Sequence, residues 1–287
     1  MKKLTTVLGN SQRLDGGAMF GNAPKVMWNQ WIEADENNQI PLSSRCLLVE
    51  DDQKLILFET GVGAFFEPKL RERFGVQESA HVLLENLGKL GVSHEDIDFV
   101  VLSHLHFDHA GGALSAWEED SASTLLFPNA RFVVGKDHWQ RALKSHARDR
   151  ASFVPEIINH FEAIYERLVF IDGPVCSALG NDYLFHLSDG HTPGLLVTEI
   201  KTEDVPYFYM TDLIPGAPWV HLPITMGYDR YPEKVINEKT QLLKSVAEQE
   251  GRIVFCHDPK IASSQVEFNG KRYVLKNPVE EKAIAVG

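Results

Sequence analysis

Runs of apolar residues in the first hundred positions predict three strands and one helix. The runs 46–50 and 55–59 flank a short polar turn, which predicts a β-hairpin. Leucines at helical spacing over 78–90 predict a helix that ends before Gly91, because glycine is a common stop signal. The apolar run 97–102 then predicts a buried strand.

The rest of the chain mixes the same two patterns. Hairpins mixed with helices favour the α/β (α+β) class, with sheets packed together and covered by helices, over a strictly alternating parallel sheet. No internal repeat, low-complexity tract or glycine–serine linker interrupts the sequence, so one domain over 1–287 is expected. Further helices are predicted over 136–147, 155–167 and 233–249, and further strands over 168–171, 183–187, 195–200, 206–210 and 252–256, the last of the chain.

Composition and charge exclude several classes of protein. With 44% hydrophobic and 24% charged residues, the 287-residue chain is neither disordered nor collagen-like. Its apolar runs are shorter than the roughly 18 residues of a membrane helix, and the N-terminus lacks the pattern of a signal peptide. The 28 basic and 40 acidic side chains give a net charge of −12, so neither nucleic acid nor a membrane surface is an expected partner.

The cysteines point to a reducing compartment. Cys46, Cys176 and Cys256 are odd in number and form no C-x-x-C pair, which argues against a disulfide framework and a zinc finger. We therefore expect three small core residues in a cytoplasmic protein.

Four metal-ligand side chains follow the predicted strand 97–102 within six positions: His104, His106, Asp108 and His109. In an extended loop the first two histidines project to the same side, and a turn after them brings the other two ligands to a neighbouring point. Imidazole and carboxylate without thiolate match zinc best, with manganese, iron and cobalt as alternatives. The small residues 110–112 allow the next segment to approach this loop closely.

Three further ligand-type residues, His191, Asp212 and His257, stand at the ends of predicted strands. Strand ends that face one way can converge on a shared site. The remaining single histidines are expected to be surface or hydrogen-bonded side chains; we considered His81, His94, His138, His146, His160 and His186.

In this order, the seven ligand-type residues resemble the ligand pattern of the metallo-β-lactamase superfamily. The resemblance implies an αββα sandwich, two mixed sheets flanked by helices, with one or two metal ions at the edge between the sheets. It also implies a hydroxide held between two cations as the nucleophile, with Asp108 accepting or relaying a proton. Carried over position by position, the resemblance implies that the first metal is bound by His104, His106 and His191 and the second by Asp108, His109 and His257. It implies that Asp212 bridges the two metals.

The branch within the superfamily is narrowed by particular residues. His106 stands where flavodiiron oxygen reductases carry a carboxylate, and the acidic charge disfavours the nucleic-acid-processing branches. Secreted β-lactamases carry signal peptides, and glyoxalase-type thioesterases have a basic helical region after the last ligand. Both branches are disfavoured, because the N-terminus lacks a signal-peptide pattern and only about 30 residues follow His257. Acyl-homoserine lactone lactonases and the related methyl parathion hydrolases resemble this chain at 14–21, 103–112, 211–215, 226–232 and 257–259.

Two positions depart from that branch. Some lactonases place a tyrosine shortly after the bridging aspartate to assist the lactone carbonyl, whereas Asp212 is followed by leucine, isoleucine and proline. His221 and Tyr228 are the candidates to replace it. Glu59 stands where the superfamily usually has an aspartate that supports the metal loops, and the extra methylene shifts that carboxylate.

Apolar residues in two loops predict a substrate wall suited to an acyl chain or aryl group: Met19, Phe20, Met27, Trp28, Trp219 and Met226. Burial of the same loops against the domain or a partner subunit explains them equally well. Members of the resembling family are often dimers, so a homodimer is also expected.

The leading hypothesis is a hydrolase with two divalent metal ions that cleaves a neutral ester or lactone. Acyl-homoserine lactone, the substrate of quorum quenching, is the most specific candidate. The second hypothesis is an organophosphate or aryl ester hydrolase that uses the same hydroxide. The third is a non-catalytic, metal-containing binding protein.

Overall fold

Two sheets, each with its own apolar core, organise the chain. The computed structural model describes residues 2–52 and 54–280, so Gln53 of the predicted hairpin turn lies outside the described residues. By internal contacts the described chain divides into unit 1, formed by 2–13 and Ser43–Asp172, and unit 2, formed by Leu14–Leu42 and 173–280. The expectation of one domain over 1–287 stays a prediction.

The sheet of unit 1 has six strands in the order β1-β4-β5-β6-β7-β8. The first three are antiparallel neighbours, which confirms the predicted hairpin, whereas β5, β6, β7 and β8 run parallel. Parallel neighbours end at the same edge, so the loops after β5, β6 and β7 emerge side by side. The strands are β1 Lys2–Leu8, β4 Arg45–Asp51, β5 Lys54–Phe58, β6 Phe99–Val101, β7 Arg131–Gly135 and β8 Leu168–Ile171.

Short helices accompany this sheet. Leu83 and Leu87 lie four residues apart on α4 and are both fully buried, as the leucine spacing predicted. Gly91 follows that helix with φ of +75°, a backbone conformation that favours glycine. The helices are α3 Pro68–Arg73, α4 Val82–Lys89, α5 Phe107–Ala110, α6 Lys136–Leu143 and α7 Pro155–Ala163.

The sheet of unit 2 has seven strands in the order β15-β14-β13-β12-β11-β10-β9. Its neighbours are antiparallel except β12 and β13, which run parallel. The helix α8 Pro232–Glu248 joins these two strands along the chain and buries Val235, Leu242, Leu243 and Val246. The strands are β9 Val175–Cys176, β10 Gly180–Ser188, β11 Leu195–Ile200, β12 Tyr207–Tyr209, β13 Arg252–Val254, β14 Ile261–Phe268 and β15 Tyr273–Glu280.

Both sheets are mixed and accompanied by helices, which confirms the predicted class. The N-terminal segment adds β2 Gln12–Asp15, α1 Gly16–Phe20, α2 Lys25–Trp28 and β3 Gln39–Leu42. Cys46, Cys176 and Cys256 are buried, as expected, and form no disulfide among the described residues. Within the described residues, no helix has both the length and the apolar character needed to cross a membrane.

The prediction that 252–256 is the last strand is wrong, because the hairpin β14–β15 follows it. The serines and charged residues of 261–268 obscured the alternation, since Ser263 and Ser264 are buried polar residues rather than exposed ones. The turn between the two strands is closed by Asn269, whose side chain accepts the backbone N–H groups of Lys271 and Arg272 at 3.1 and 2.9 Å.

A buried lysine organises the segment 219–224 of unit 2. Lys239 on α8 is 0% exposed, and its Nζ donates to the carbonyl oxygens of Trp219 and Ile224 at 2.9 and 2.6 Å. Burial lowers the pKa of Lys239 to about 7, against the opposing effect of the Asp229 charge. The ammonium therefore satisfies buried carbonyl groups at the cost of its own desolvation.

We expect Lys239→Met to destabilise the fold by about 2 kcal/mol near neutral pH, because buried carbonyls lose their donor. Between about pH 7 and 10 the folded lysine is deprotonated while the unfolded one is still protonated, so the unfolded state binds more protons. The free energy of unfolding of the parent protein should therefore rise with pH relative to the variant. Urea unfolding across this range measures the difference, with Lys244→Met, exposed on the same helix, as control. A pH-independent difference would contradict the expectation.

Candidate metal centre

The four-ligand motif occupies the loop after β6 and the first turn of α5. His106 is the extended residue before the helix, and Asp108 and His109 lie in its first turn. The ring centroids of His104 lie 4.4 Å from those of His106 and 4.0 Å from those of His109. All three imidazoles are buried, whereas Asp108 is partly exposed. Unit 1 thus gathers the four ligand-type side chains as the sequence predicted.

Two glycines allow this gathering. A Cβ at Gly112 would lie 2.0 Å from the Thr60 carbonyl oxygen, and one at Gly111 would lie 2.4 Å from the Val62 carbonyl oxygen. The N–H and hydroxyl groups of Thr60 both donate to the His109 carbonyl, at 3.0 and 2.9 Å. Close backbone contact therefore fixes α5 against the loop after β5, which is the use expected for the small residues after the motif.

Glu59, at the end of β5, supports the motif despite departing from the usual aspartate. Its Oε1 accepts the Ser103 N–H at 2.7 Å, and its Oε2 lies 3.3 Å from Nδ1 of His109. The backbone of Glu59 has φ of +65°, in the left-handed region that a non-glycine residue seldom adopts. The longer side chain thus reaches both the loop and the ligand ring from a strained position.

His138 supports the motif from the helix that follows the third parallel strand. It lies on α6, directly after β7, and is 0% exposed. Its Nε2 accepts the N–H of Leu105, the residue between the two loop histidines, at 2.7 Å. His138 is hydrogen-bonded, as expected of a single histidine, but its support of the ligand loop was not predicted, because strand β7 was not predicted.

In unit 2, two ligand-type histidines, His191 and His257, lie beside the carboxylate of the third ligand-type residue, Asp212. Asp212 lies in a 3₁₀ turn after β12 and His257 follows β13, so the parallel pair brings both to one edge. Asp212 Oδ2 lies 3.2 Å from Nε2 of His191, and Asp212 Oδ1 lies 3.2 Å from Nε2 of His257. The prediction that these strand ends converge is confirmed within this unit.

Asp229 orients His191. Its Oδ1 lies 2.9 Å from His191 Nδ1, and its Oδ2 accepts the Met226 N–H at 2.7 Å. A carboxylate partner on Nδ1 fixes the ring tautomer and leaves Nε2 as the ligand atom. Asp229 belongs to the segment 226–232 that carried the family resemblance, but its role was not predicted.

The ligand-type atoms in both units fit a hard or borderline divalent metal. In unit 1 the candidate donors are imidazole nitrogens and a carboxylate, and in unit 2 they are two imidazoles that share a carboxylate. The loop that carries His104 and His106 and the ring of His191 each have a further polar contact that holds them, as metal-binding histidines usually do. The donor set therefore matches the predicted metal chemistry.

The family model of the metallo-beta-lactamase superfamily matches residues 40–257, about three quarters of the chain. This chain belongs to the metallo-beta-lactamase superfamily. The predicted fold family is thereby confirmed, and the protein is a hydrolase of that fold.

Similar proteins include several lactonases. N-acyl homoserine lactonase AiiA of Bacillus thuringiensis subsp. kurstaki is 23% identical over 236 residues, 74% of this chain and 80% of the relative. N-acyl homoserine lactonase AiiB of Agrobacterium fabrum is 30% identical over 163 residues, 52% of this chain and 54% of the relative.

Solved structures share the fold over nearly the whole chain. A probable metal-dependent hydrolase from Staphylococcus aureus has a TM-score of 0.86 at 25% identity, covering 97% of this chain and 98% of its own. AidC, a dizinc quorum-quenching lactonase, has a TM-score of 0.77 at 24% identity, covering 99% of this chain and 95% of its own.

Five of the six residues of the predicted substrate wall lie in the core of unit 2, whereas Met27 is 44% exposed. Phe20 stacks between Trp28 and Trp219, with centroid distances of 5.3 and 4.5 Å, and Trp219 Nε1 donates to the Met19 carbonyl. All of Met19, Phe20, Trp28, Trp219 and Met226 are buried among apolar neighbours. Burial of the loops explains these side chains in the folded protein, and their contact with substrate stays a prediction.

The two predicted assisting residues are both accessible. His221 lines a cavity of about 920 Å³ in unit 2, together with Met27, Trp31 and Arg272. Burial lowers the pKa of His221, and the positive charges of Arg272 and Lys239 lower it further, so its imidazole is neutral near pH 7. Tyr228 is 40% exposed and is not among the residues that line this cavity.

We expect His138→Ala to weaken metal binding by about 10- to 100-fold, because the loop between two ligands loses its buried acceptor. Competition with a chromophoric chelator measures the affinity. His138→Gln should stay within a few-fold of the parent, since glutamine Oε1 can accept from Leu105 where Nε2 does. His146→Ala, at an exposed histidine, serves as control. Equal affinity for parent and alanine variant would show that His138 does not position the loop.

Proposed function

We propose that this protein is a dinuclear metal-dependent hydrolase that opens the ring of neutral lactones, with N-acyl homoserine lactones as the preferred substrates. The observation that carries the proposal is the pair of ligand sets, four side chains after β6 and, in unit 2, Asp212 with the two histidines that face it. The similarity to N-acyl homoserine lactonases supports the substrate class.

In the proposed centre the two sets act together. As the superfamily ligand pattern implies, one metal would be held by His104, His106 and His191 and the other by Asp108, His109 and His257, with Asp212 shared between them. The bridging role of Asp212 is supported by its two oxygens, each of which faces a different imidazole of unit 2. We propose zinc as the metal, because imidazole and carboxylate donors suit it.

When bound, the two ions would supply a hydroxide at neutral pH and polarise the lactone carbonyl. Asp108 has the role of moving the proton, because its carboxylate is 14% exposed and that of Asp212, the other carboxylate of the ligand sets, is 6% exposed. Glu59, His138 and Asp229 hold the ligand loops in place, so little reorganisation accompanies the reaction.

A hydrogen-bond donor beside the metal centre would assist in polarising the substrate carbonyl. Leu213 and Ile214 follow Asp212 and are buried apolar residues, so they supply none. We propose that His221 donates this hydrogen bond, with Tyr228 as the alternative. A neutral imidazole beside Met27 and Trp31 suits a ligand that has both a polar carbonyl and an apolar acyl chain.

We also propose that the protein is cytoplasmic. Three buried thiols and the acidic composition are consistent with a cytoplasmic protein that binds neither nucleic acid nor membrane. The homodimer expected from the family resemblance stays a prediction.

The decisive experiment is a substrate panel with metal-loaded protein. We expect kcat/KM above about 10⁴ M⁻¹s⁻¹ for ring opening of a long-chain N-acyl homoserine lactone, with lower values for an aryl ester and a phosphotriester. His106→Ala and Asp108→Ala should each lower this value at least about 1,000-fold, and chelation should abolish it.

The controls separate substrate from mechanism. His146→Ala, an exposed histidine outside both ligand sets, should leave the rate unchanged. Faster turnover of the phosphotriester would assign the second hypothesis, an organophosphate hydrolase. Full lactonase activity in His106→Ala would overturn the metal mechanism, and tight binding without turnover of any substrate would indicate a non-catalytic binding protein.

We expect His221→Ala to lower kcat about 100-fold with a smaller change in KM, because a donor aimed at the developing oxyanion acts mainly in the transition state. Tyr228→Phe removes only a hydroxyl and tests the alternative donor. Tyr231→Phe, an exposed tyrosine nearby in sequence, is the matched control. Unchanged kcat in both His221→Ala and Tyr228→Phe would refute assistance by either residue.

A further inference from the structure

Unit 1 contains a cavity of about 880 Å³ whose lining excludes the metal-ligand segment 103–109. Its walls come from 65–70, from the loop 115–124 and from 154–160, which includes the start of α7. A volume of this size accommodates a small organic molecule.

The loop 115–124 is fixed in shape by its own hydrogen bonds. Ser115 N donates to the Thr124 carbonyl at 2.9 Å, and Thr124 N donates to Ser115 Oγ at 3.0 Å. Trp117 N donates to the Ala64 carbonyl at 2.9 Å, which ties the loop to the segment that carries Phe65. These bonds close the loop at its two ends and hold Trp117 beside Phe65.

The walls combine aromatic rings with negative charge. Trp117 contributes a ring and is 42% exposed, whereas Phe65 and Phe66, which also form part of the wall, are buried in the core of unit 1. The charged residues that line the cavity in the described part of the chain are all acidic, namely Glu67, Glu118 and Glu156. Ring faces and carboxylates both attract cations, and neither attracts an anion.

A hydrogen-bonded cluster at the cavity wall offers acceptors rather than donors. Ser123 Oγ donates to Glu156 Oε1 at 2.5 Å, and His160 Nε2 lies 2.9 Å from the same Oγ. Because the hydroxyl has one proton and gives it to the carboxylate, His160 must donate to Ser123. The second oxygen of Glu156 keeps its accepting capacity, so it can accept a hydrogen bond from a ligand that donates.

From these features we infer that the cavity is a second binding site, separate from the metal centre, for an organic cation: a protonated amine with an alkyl or aryl body. The ammonium group is hydrogen-bonded by Glu156 and attracted by Glu67 and Glu118, and the apolar body packs on Trp117 and Leu70. Neither the superfamily assignment nor the lactonase proposal assigns a ligand to this cavity.

The test compares three probes with one apolar body and different head groups: hexylammonium, hexanol and hexanoate. Isothermal titration calorimetry on the metal-loaded full chain should show binding of hexylammonium, at least about tenfold weaker binding of hexanol, and none of hexanoate. Equal binding of the three probes, or no binding of hexylammonium, would overturn the inference.

Variants then locate the site. Glu156→Gln should weaken hexylammonium binding about tenfold, and Trp117→Ala several-fold, with unchanged thermal unfolding because both side chains are exposed. Glu162→Gln, exposed on the same helix and outside the lining, should bind like the parent. An equal loss in Glu162→Gln would indicate general attraction to the acidic chain and would overturn the site.

Two readouts keep this test independent of the lactonase proposal. Binding is measured without turnover, so an inactive lactonase does not affect it. His106→Ala should bind hexylammonium as the parent does, because the cavity does not include that residue. Loss of binding in His106→Ala would place the amine at the metal centre and refute a separate cation site.

Discussion

The position of the metal motif depends on a close backbone approach that only glycine permits. Gly112 leaves room for the Thr60 carbonyl, and Thr60 in turn donates two hydrogen bonds to the His109 carbonyl. The direction in which Asp108 and His109 leave the first turn of α5 is thus set by main-chain contacts. Main-chain contacts vary less than side-chain ones, so this arrangement suits a site that has to be held before the reaction begins.

A second constraint recurs three times around the ligands. Glu59, His138 and Asp229 each accept a backbone N–H, from Ser103, Leu105 and Met226. Each pair is buried, and a buried N–H without an acceptor costs about 1–3 kcal/mol. The energetic need to satisfy these amides therefore fixes the loops, and the ligand rings on those loops are oriented as a consequence.

Parallel strands explain why residues far apart in sequence act together. The loops after β5, β6 and β7 carry Glu59, the ligand motif and His138, and in unit 2 the ends of β12 and β13 carry Asp212 and His257. Because parallel neighbours end at one edge, each sheet delivers these side chains to its own edge through short connections. Longer loops would lose more conformational entropy when they become ordered in the same placement.

The sequence by itself determined the features that depend on local spacing. The hairpin, the helix with Leu83 and Leu87, and the gathering of His104 and His106 follow from periods of two and of three to four residues, which neighbouring positions encode. Only the tertiary structure decided the partners of these groups. The acceptor of the Leu105 N–H is His138, which follows a strand, β7, that the pattern did not reveal. The buried aromatic stack around Phe20 matches a substrate wall equally well in composition. Such choices depend on which distant surfaces meet, and apolar content alone does not distinguish a core from a binding wall.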